Sequence, residues 1–369
     1  MSLPIAPGYA PMEARIVTEL PSGPDWQYEP KWDGFRCLAF RDGAAVELRS
    51  KSGQSLTRYF PEVAAAVAAI PAKRFVLDGE IVVPTESGLS FDALLLRIHP
   101  AQSRVRKLAS ETPAVLLVFD LLVDARGHDL TQQPLSERRE ALEAFAKESF
   151  AGSDGVMLSP ATRKLAQAKQ WLAGRAGTDG VMAKRLDLPY RSGERTAMEK
   201  IKRKRTADCV VGGFRYASKG KIIGSLLLGL YDDDGILHHV GFTSSFSAEE
   251  RKRLTPKLEK LAGGSGFTGR APGGPSRWST SRSGEWVALD PTLVVEVEYD
   301  HFTNGRFRHG TKFLRWRPEK APAQCTFDQV AEAKRRPSRA AILPKTKPAT
   351  RSASRRRKSS GPARARRRR

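Results

Sequence analysis

The chain has 369 residues, 40% of them hydrophobic, and a net charge of +23. That is enough apolar material for about two globular domains, and the charge favours a polyanionic partner such as nucleic acid. No apolar run approaches the ~18 residues of a membrane helix, and the three cysteines form no paired motif, so we expect a soluble intracellular protein without disulfides or structural zinc.

Strands and helices alternate between about residues 25 and 205. Residues 47–50 are predicted to form a short strand that ends in a turn at Ser52-Gly53, and the apolar runs 75–83 and 114–123 are typical of buried strands. Helices are predicted at 135–147, with Ser136 as N-cap, and at 160–175.

From about residue 206 the pattern changes to short strands separated by Gly and Asp turns. One helix is predicted between them at 247–261, although it contains Pro256, and residues 262–285 are expected to form a loop. Several short strands with one helix favour a small barrel, for which an OB-fold is the natural candidate. The predicted strands are 210–214, 225–231, 237–242 and 293–299.

The C-terminal segment is strongly basic. Residues 331–369 contain 16 Lys and Arg and one acid, Glu332, a net +15 that leaves +8 for residues 1–330. With little to bury, this segment is predicted to be disordered and to attract phosphates in a salt-sensitive way. The alternative is a solubilising appendage with no part in catalysis.

The strongest chemical feature is the sequence EPKWDGFR at residues 29–36. Taken alone, a Lys-x-Asp-Gly tetrapeptide is usually a turn with a surface lysine. Here, five further motifs follow in order. They are FVLDGE at 75–80, FD at 119–120, DGVMAK at 179–184, KIK at 200–202 and RHGTKFLRWRPEK at 308–320.

This ordered set resembles the nucleotidyltransferase motifs shared by ATP-dependent DNA ligases, RNA ligases and mRNA capping enzymes. Residues 58–62, 187–193 and 206–214 resemble more narrowly the bacterial C and D ligases that work with Ku in end joining. The resemblance implies an α+β fold: an adenylation domain of antiparallel sheets and helices at 1–205, an OB-fold β-barrel at 206–325 and a disordered Arg/Lys-rich tail at 326–369.

Lys31 is the predicted catalytic nucleophile. An amine that attacks the α-phosphate of ATP must be unprotonated, and with a pKa of about 10.4 only roughly one lysine in two thousand is ready at neutral pH. Lys200 and Lys202 alternate with Ile201, so on a strand both face the same way. Their charges would disfavour the ammonium form of Lys31 and would bind phosphates.

The resemblance also implies the remaining site residues. Glu80 and Asp179 are the expected carboxylate ligands of Mg²⁺ or Mn²⁺, because hard cations prefer oxygen. The sequence differs from the family's motifs in three ways. Asp179 stands where the family usually has Glu, Lys51 stands where it usually has Arg, and the last motif matches the common form less closely. Expected ATP contacts are Glu29 and Phe119 at adenine, Arg36, Lys51 and Lys184 at ribose or phosphates, and Arg308, Arg315, Arg317 and Lys320 in a segment that swings onto ATP.

The sequence therefore predicts an ATP-dependent DNA ligase. Lys31 takes AMP from ATP, the AMP moves to a 5′-phosphate, and a 3′-hydroxyl displaces it, sealing a nick in double-stranded DNA during repair. We expect a monomer without membrane contact in the bacterial cytoplasm and nucleoid, with Ku as a candidate partner. The alternatives are an RNA ligase or capping-type nucleotidyltransferase, and a non-catalytic DNA-binding repair module.

Overall fold

The structure is a computed structural model that describes residues 3–86, 88–173, 178–218, 220–273 and 285–330. The predicted disordered tail, from residue 331 on, and positions 274–284 of the predicted loop lie outside these residues. Within the described residues, no helix is long and apolar enough to cross a membrane.

The first domain contains two main sheets with helices packed outside them. Its strands are β1 (Arg15–Ile16), β2 (Trp26–Lys31), β3 (Phe35–Asp42), β4 (Ala45–Ser50), β5 (Arg74–Val82), β6 (Pro84–Thr85), β7 (Gly88–Leu89), β8 (Val115–Val123), β9 (Val156–Leu158), β10 (Gly180–Arg185) and β11 (Met198–Lys202). Its helices are α1 (Pro61–Ala69), α2 (Phe91–Arg97), α3 (Gln102–Glu111), α4 (Leu135–Ser149) and α5 (Leu165–Leu172).

The two sheets carry different parts of the motifs. The five-stranded sheet has the order β4-β3-β5-β8-β9, and the four-stranded sheet has the order β1-β11-β10-β2. Most neighbours are antiparallel, while β1–β11 and β8–β9 are parallel. Every residue of β8 is buried, as its continuous apolar sequence predicts, because it lies between β5 and β9 with a hydrophobic core on its faces.

The predicted strands and helices of this domain are observed, with two corrections at helix starts. The helix predicted at 160–175 is α5, which begins at Leu165 because Thr162 pairs with Tyr28 of β2, and positions 174 and 175 lie outside the described residues. The strand at 47–50 is the end of β4, and its turn places Gly53 at φ +79°, a conformation that favours glycine. Ser136 is not the N-cap of α4: the helix begins at Leu135 after Pro134, and no side chain caps it. Its first amide groups are satisfied by tertiary contacts instead, since Leu135 N donates to Leu188 O and Ser136 N to Leu186 O.

The second domain is built on one main sheet. Its elements are β12 (Arg205–Tyr216), β13 (Ile223–Tyr231), β14 (Leu237–Thr243), α6 (Ala248–Glu259), β15 (Val287–Ala288), β16 (Val294–Tyr299), β17 (Phe302–Thr303), β18 (Arg306–Phe307) and β19 (Lys312–Trp316), which confirms the predicted strands and helix. The strand order of the sheet is β14-β13-β12-β16-β19, with β15 also paired to β12. The two outer strands approach each other where Thr311 N donates to Phe242 O at 3.0 Å.

Two details of the second domain follow from local sequence. Helix α6 continues through Pro256, and its start is fixed by a capping box between Ser247 and Glu250. At the other end, Phe327 and Val330 pack on the core of this domain. Residues 326–330 therefore belong to the second domain rather than to the tail, whose predicted start at 326 was too early.

Candidate active site

A cavity of about 170 Å³ lies in the first domain, lined by residues from both sheets and from the N-terminal segment. Eight of the predicted site residues line it together, although they come from six separate stretches of sequence. They are Glu29, Lys31, Arg36, Lys51, Glu80, Phe119, Lys184 and Lys200. Met12, Trp32, Met182 and Met198 are among the other lining residues and supply apolar surface.

Lys31 lies at the end of β2, and its side chain is 18% exposed. Its ammonium forms an ion pair with Asp179 of the loop before β10. The backbones also meet, because Asp179 N donates to Lys31 O at 3.0 Å. The nucleophile predicted from sequence is therefore partly buried, beside a carboxylate and at the mouth of a cavity.

Gly34 allows the turn after Lys31 to approach the strand that carries Glu80. A Cβ at position 34 would lie 2.3 Å from Ile81 O and 2.8 Å from Glu80 Cγ. No larger residue fits without moving the backbone of β5, so the glycine of this motif is needed for a close approach.

Asp179 links Lys31 to the second domain. Its Oδ1 lies 2.6 Å from His301 Nε2, while Oδ2 contacts the ammonium of Lys31. Burial raises the pKa of this carboxyl, but the hydrogen bond to His301 and the charge of Lys31 outweigh burial, and the pKa lies below its usual range. Asp179 is therefore ionised, as a carboxylate that binds a cation must be.

Glu80 projects from β5 into the cavity. Burial raises its pKa from 4.5 to about 7, although the charges of Arg36 and Lys31 act against this shift. No hydrogen bond reaches its carboxylate from the residues that the structure describes. A half-buried carboxylate without a protein partner is suited to a cation, and Mg²⁺ typically takes only one or two protein carboxylates beside substrate phosphates. Glu80 and Asp179 thus fit a divalent metal.

Glu29 is fixed at the inner end of the cavity. It is 1% exposed, its Oε1 accepts a hydrogen bond from Gln27 Nε2 at 2.8 Å, and its Oε2 lies 2.7 Å from Lys184 Nζ. The same ammonium lies 4.4 Å from the centre of the Phe119 ring. These contacts hold a carboxylate and an aromatic ring side by side, the two kinds of group that recognise a purine by hydrogen bonding and stacking.

Arg36 also lies close to Phe119, with its guanidinium carbon 4.6 Å from the ring centre. Its guanidinium makes two hydrogen bonds of 2.5 Å to Asp78, and Tyr190 Oη donates to the same carboxylate at 2.6 Å. The guanidinium of Arg36, which was expected to contact the ribose or phosphates of ATP, therefore donates to the buried carboxylate of Asp78. Arg36 reaches the cavity mainly as a planar cation packed on the aromatic ring.

The three lysines at the rim have different surroundings. Lys200 lines the cavity, and burial first, then the charge of Lys31, lowers its pKa. Lys202 faces the same side of β11 but lies 3.1 Å from Asp300 of the second domain. Lys51 lies 2.9 Å from Glu13 and is more than half exposed. Only Lys200 and Lys51 of the three line the cavity itself.

The four predicted contacts from the second domain separate into two groups. Arg308 reaches the first domain: its Nη1 lies 2.8 Å from Asp33 Oδ2, and its guanidinium carbon lies 3.4 Å from the Phe91 ring centre. The other three remain within the second domain and away from the cavity. Arg315 pairs with Glu296 at 2.7 Å, and Arg317 and Lys320 each lie 2.8 Å from Asp208.

Sequence reasoning missed several residues of this site. Gln27 fixes Glu29, Asp78 and Tyr190 hold Arg36, and His301 contacts Asp179. Gln27 and Asp78 lie inside or beside recognised motifs, so strand alternation could have found them. Nothing local to His301 marks it, because its role depends on how the second domain sits against the first.

Fold and site together are those of a nucleotidyltransferase. Two family models match the chain: "ATP dependent DNA ligase domain" over residues 11–202 and "ATP dependent DNA ligase C terminal region" over residues 219–320. The chain belongs to the family of ATP-dependent DNA ligases, which use ATP and a divalent metal.

Individual relatives agree with this assignment. DNA ligase C2 of Mycolicibacterium smegmatis is 45% identical over 348 residues, 89% of this chain and 96% of that protein. The multifunctional non-homologous end joining DNA repair protein LigD of Mycobacterium tuberculosis is 30% identical over 304 residues, 81% of this chain and 37% of that protein. The structure of a Lig E DNA ligase matches with a TM-score of 0.52 at 18% identity, covering 84% of this chain and 99% of that one, which supports the fold alone.

Proposed function

We propose that this protein seals nicks between a 3′-hydroxyl and a 5′-phosphate in double-stranded DNA, with ATP as the source of the AMP that activates the phosphate. The observation that carries the proposal is the position of Lys31: a partly buried amine at a cavity that also presents Glu29, Phe119, Glu80 and Lys200. The relatives act as DNA ligases by name, and the RNA-specific alternatives have no comparable support.

In the first step, the Nζ of Lys31 attacks the α-phosphorus of ATP, a P–N bond forms, and pyrophosphate leaves with the electrons of the broken P–O bond. Phe119 and Glu29 position the adenine, and Lys200 offsets the negative charge that develops on the phosphoryl oxygens. A divalent metal held by Glu80 and Asp179 would neutralise phosphate charge when bound. Lys184 acts indirectly, by holding Glu29.

The ammonium of Lys31 must lose its proton before attack. In the present arrangement Asp179 pairs with it, and that pairing favours the charged form. We propose that Asp179 gives up this ion pair before attack, that the proton of Lys31 passes to solvent, and that the neutral amine is left beside Lys200, whose charge disfavours the ammonium form. Asp179 would then be free to hold a divalent metal together with Glu80. The two later steps, transfer of AMP to the 5′-phosphate and its displacement by the 3′-hydroxyl, use the same site.

We propose that the second domain is an OB-fold and that it changes its orientation during the reaction. The order of its strands and the contact between its outer strands support a small closed barrel. Arg315, Arg317 and Lys320 are proposed to reach ATP only after this domain turns toward the cavity. The proposed domains are 1–205 and 206–330, followed by the basic tail.

The cellular role is proposed from the same family. Similarity to a multifunctional end-joining protein supports a role in DNA repair with Ku as a partner. We also propose that the protein acts as a monomer. Nicked DNA is the proposed substrate and the bacterial cytoplasm and nucleoid the proposed location, since the relatives with these names are bacterial.

The proposal is tested by mass spectrometry of the purified protein after incubation with ATP and Mg²⁺. We expect one added AMP, located on Lys31 by peptide mapping, and closure of a nicked duplex by the same preparation. Lys31→Ala should lose both, while Lys107→Ala, at an exposed position of α3 outside the cavity lining, should retain the adduct. Labelling by GTP instead of ATP would indicate a capping-type enzyme, and nick closure by Lys31→Ala would contradict the mechanism.

A further inference from the structure

Asp208 lies on β12 and is the point where the basic groups of the last motif meet. Its Oδ1 lies 2.8 Å from Arg317 Nη1, and its Oδ2 lies 2.8 Å from Lys320 Nζ. Each oxygen thus binds one cation. Arg317 has two further acidic neighbours, since its Nε lies 2.5 Å from Glu319 Oε1 and its Nη1 lies 3.6 Å from Glu296 Oε2. Asp208 is the carboxylate that Arg317 and Lys320 share. The Asp208 side chain is 10% exposed, whereas those of Arg317 and Lys320 are 20% and 23% exposed. The cations therefore keep donor groups on the surface while the carboxylate lies beneath them.

The backbone of Asp208 is held as firmly as its side chain. Asp208 N donates to Gln329 Oε1 at 3.0 Å, and Gln329 Nε2 donates back to Asp208 O at 3.2 Å. On its other side Asp208 is paired with Glu296 of β16 in the antiparallel ladder. A carboxylate anchored in this way is suited to holding flexible side chains in one geometry.

All of these groups belong to the second domain. The contacts between Asp208, Arg317 and Lys320 therefore do not depend on where that domain sits against the first. The contacts of Arg308 and His301 with Asp33 and Asp179, by contrast, cross between the domains and must break if the second domain turns. Arg317 and Lys320 would travel as a preformed pair.

We propose that Asp208 is a positioning residue for the adenylation step: it aligns Arg317 and Lys320 so that they bind the β- and γ-phosphates of ATP together when the second domain closes. This rests on the proposed function of the motif at 308–320 and adds to it the residue that sets its geometry. Asp208 contacts no substrate itself. Its charge also weakens the attraction of the pair for phosphate, so alignment and attraction act in opposite directions.

That opposition makes the role testable with Asp208→Asn. If Asp208 only neutralised the two cations, the substitution would strengthen ATP binding and leave or raise the rate of adenylation. If it aligns them, the rate falls although the positive charge has grown. Misplacement of a catalytic group by about 1 Å costs up to about a hundredfold in rate. We expect the single-turnover rate of self-adenylation at saturating ATP to fall by about 10- to 100-fold, with an unchanged or lower ATP concentration for half-saturation.

Two further reactions separate positioning from general damage. Release of ATP from the adenylated enzyme by added pyrophosphate uses the same phosphate contacts in reverse and should fall by a similar factor. Sealing of a nick that already carries AMP on its 5′-phosphate needs neither ATP nor pyrophosphate, and should stay within about threefold of wild type. Glu298→Gln, which removes a carboxylate paired with Lys204 in the same sheet, is the matched control and should change none of the three.

The outcomes are distinct. A wild-type enzyme that failed to form the AMP adduct would refute the proposed function, whatever Asp208 does. An adenylation rate for Asp208→Asn equal to or above that of wild type would refute the alignment role alone, as would equal losses in all three reactions. Should Asp208→Asn unfold, Asp208→Glu keeps the charge but lengthens the side chain by one methylene. Asp208→Glu must then show the same selective loss of adenylation while its midpoint of thermal unfolding matches that of wild type.

Discussion

The half-buried carboxyl of Glu80 leads to a quantitative prediction about stability. Its pKa rises from 4.5 to about 7 in the folded protein. Between these values the folded state binds a proton that the unfolded state has lost, so the free energy of unfolding falls as the pH rises. The neutral isostere Glu80→Gln has no such dependence. Well below pH 4.5, Glu80 is neutral in both the folded and the unfolded state, so its carboxyl costs no stability. Above about pH 7 it is charged in both states, and the full cost of the charge in the folded protein is present.

The magnitude follows from the shift. One pKa unit corresponds to about 1.4 kcal/mol, which gives a cost of about 1.4 kcal/mol at pH 5.5 and about 3 kcal/mol at pH 8. The stability of Glu80→Gln relative to wild type should therefore increase by about 2 kcal/mol between these two pH values. Other groups that titrate in this range cancel in the comparison, because both proteins contain them.

The measurement is urea unfolding of both proteins at the two pH values, with a chelator present and ATP absent, since a bound metal would favour the charged form. Exposed Glu140→Gln serves as the control for the substitution itself. The prediction would be wrong if the difference in the free energy of unfolding between wild type and Glu80→Gln were the same at both pH values, or favoured wild type more at pH 8. The site would then not penalise the charge, and the case for Glu80 as a metal ligand would weaken.

Three other predictions concern the domain contact, the metal and the tail. Arg308→Ala removes the ion pair with Asp33 and should shift the equilibrium between docked and undocked domains by about 2 kcal/mol, or thirtyfold, in an interdomain energy-transfer measurement; Arg315→Ala, which pairs inside its own domain, should leave it unchanged. Asp179→Asn should raise the Mg²⁺ concentration that gives half-maximal adenylation by about tenfold or more, and Asp179→Glu should bring it back to the wild-type value. If Asp179→Asn leaves this concentration unchanged, Asp179 is not a metal ligand. Deletion of 331–369 should weaken DNA binding most at low salt and spare self-adenylation, and an equal loss of both would argue that the tail acts elsewhere.

The sequence predicts best what depends on neighbouring residues. The continuous apolar run at 114–123 identifies β8 because only a strand covered on both faces needs that composition. The alternation of Lys200 with Ile201 places the lysine toward the cavity and the isoleucine in the core. Ser136 failed as a cap because a suitable residue type does not establish the helix start: the tertiary contacts of residues 135 and 136 already satisfy the amides that a cap would serve.

Contacts between distant elements are harder to predict. Arg36 and Asp78 belong to recognised motifs, but their pairing depends on the register between β3 and β5, which sets Arg36 opposite Glu80 and Leu38 opposite Asp78. A shift of one residue would reverse the facing of every side chain on the strand. The motif pattern identifies which residues matter at a nucleotide site; the register decides which of them a ligand can still reach.

The contacts of the last motif support the proposal that the second domain changes its position during the reaction. Arg308 and His301 approach Asp33 and Asp179 of the first domain, while Arg317 and Lys320 stay with Asp208. His301 also occupies Asp179, the carboxylate that pairs with Lys31, so the docked second domain competes for a proposed metal ligand. If the second domain turns as proposed, the contact between His301 and Asp179 must break, because these residues belong to different domains. The proposed turn would therefore release one of the two partners of Asp179 and would couple the position of the second domain to the carboxylate that pairs with Lys31.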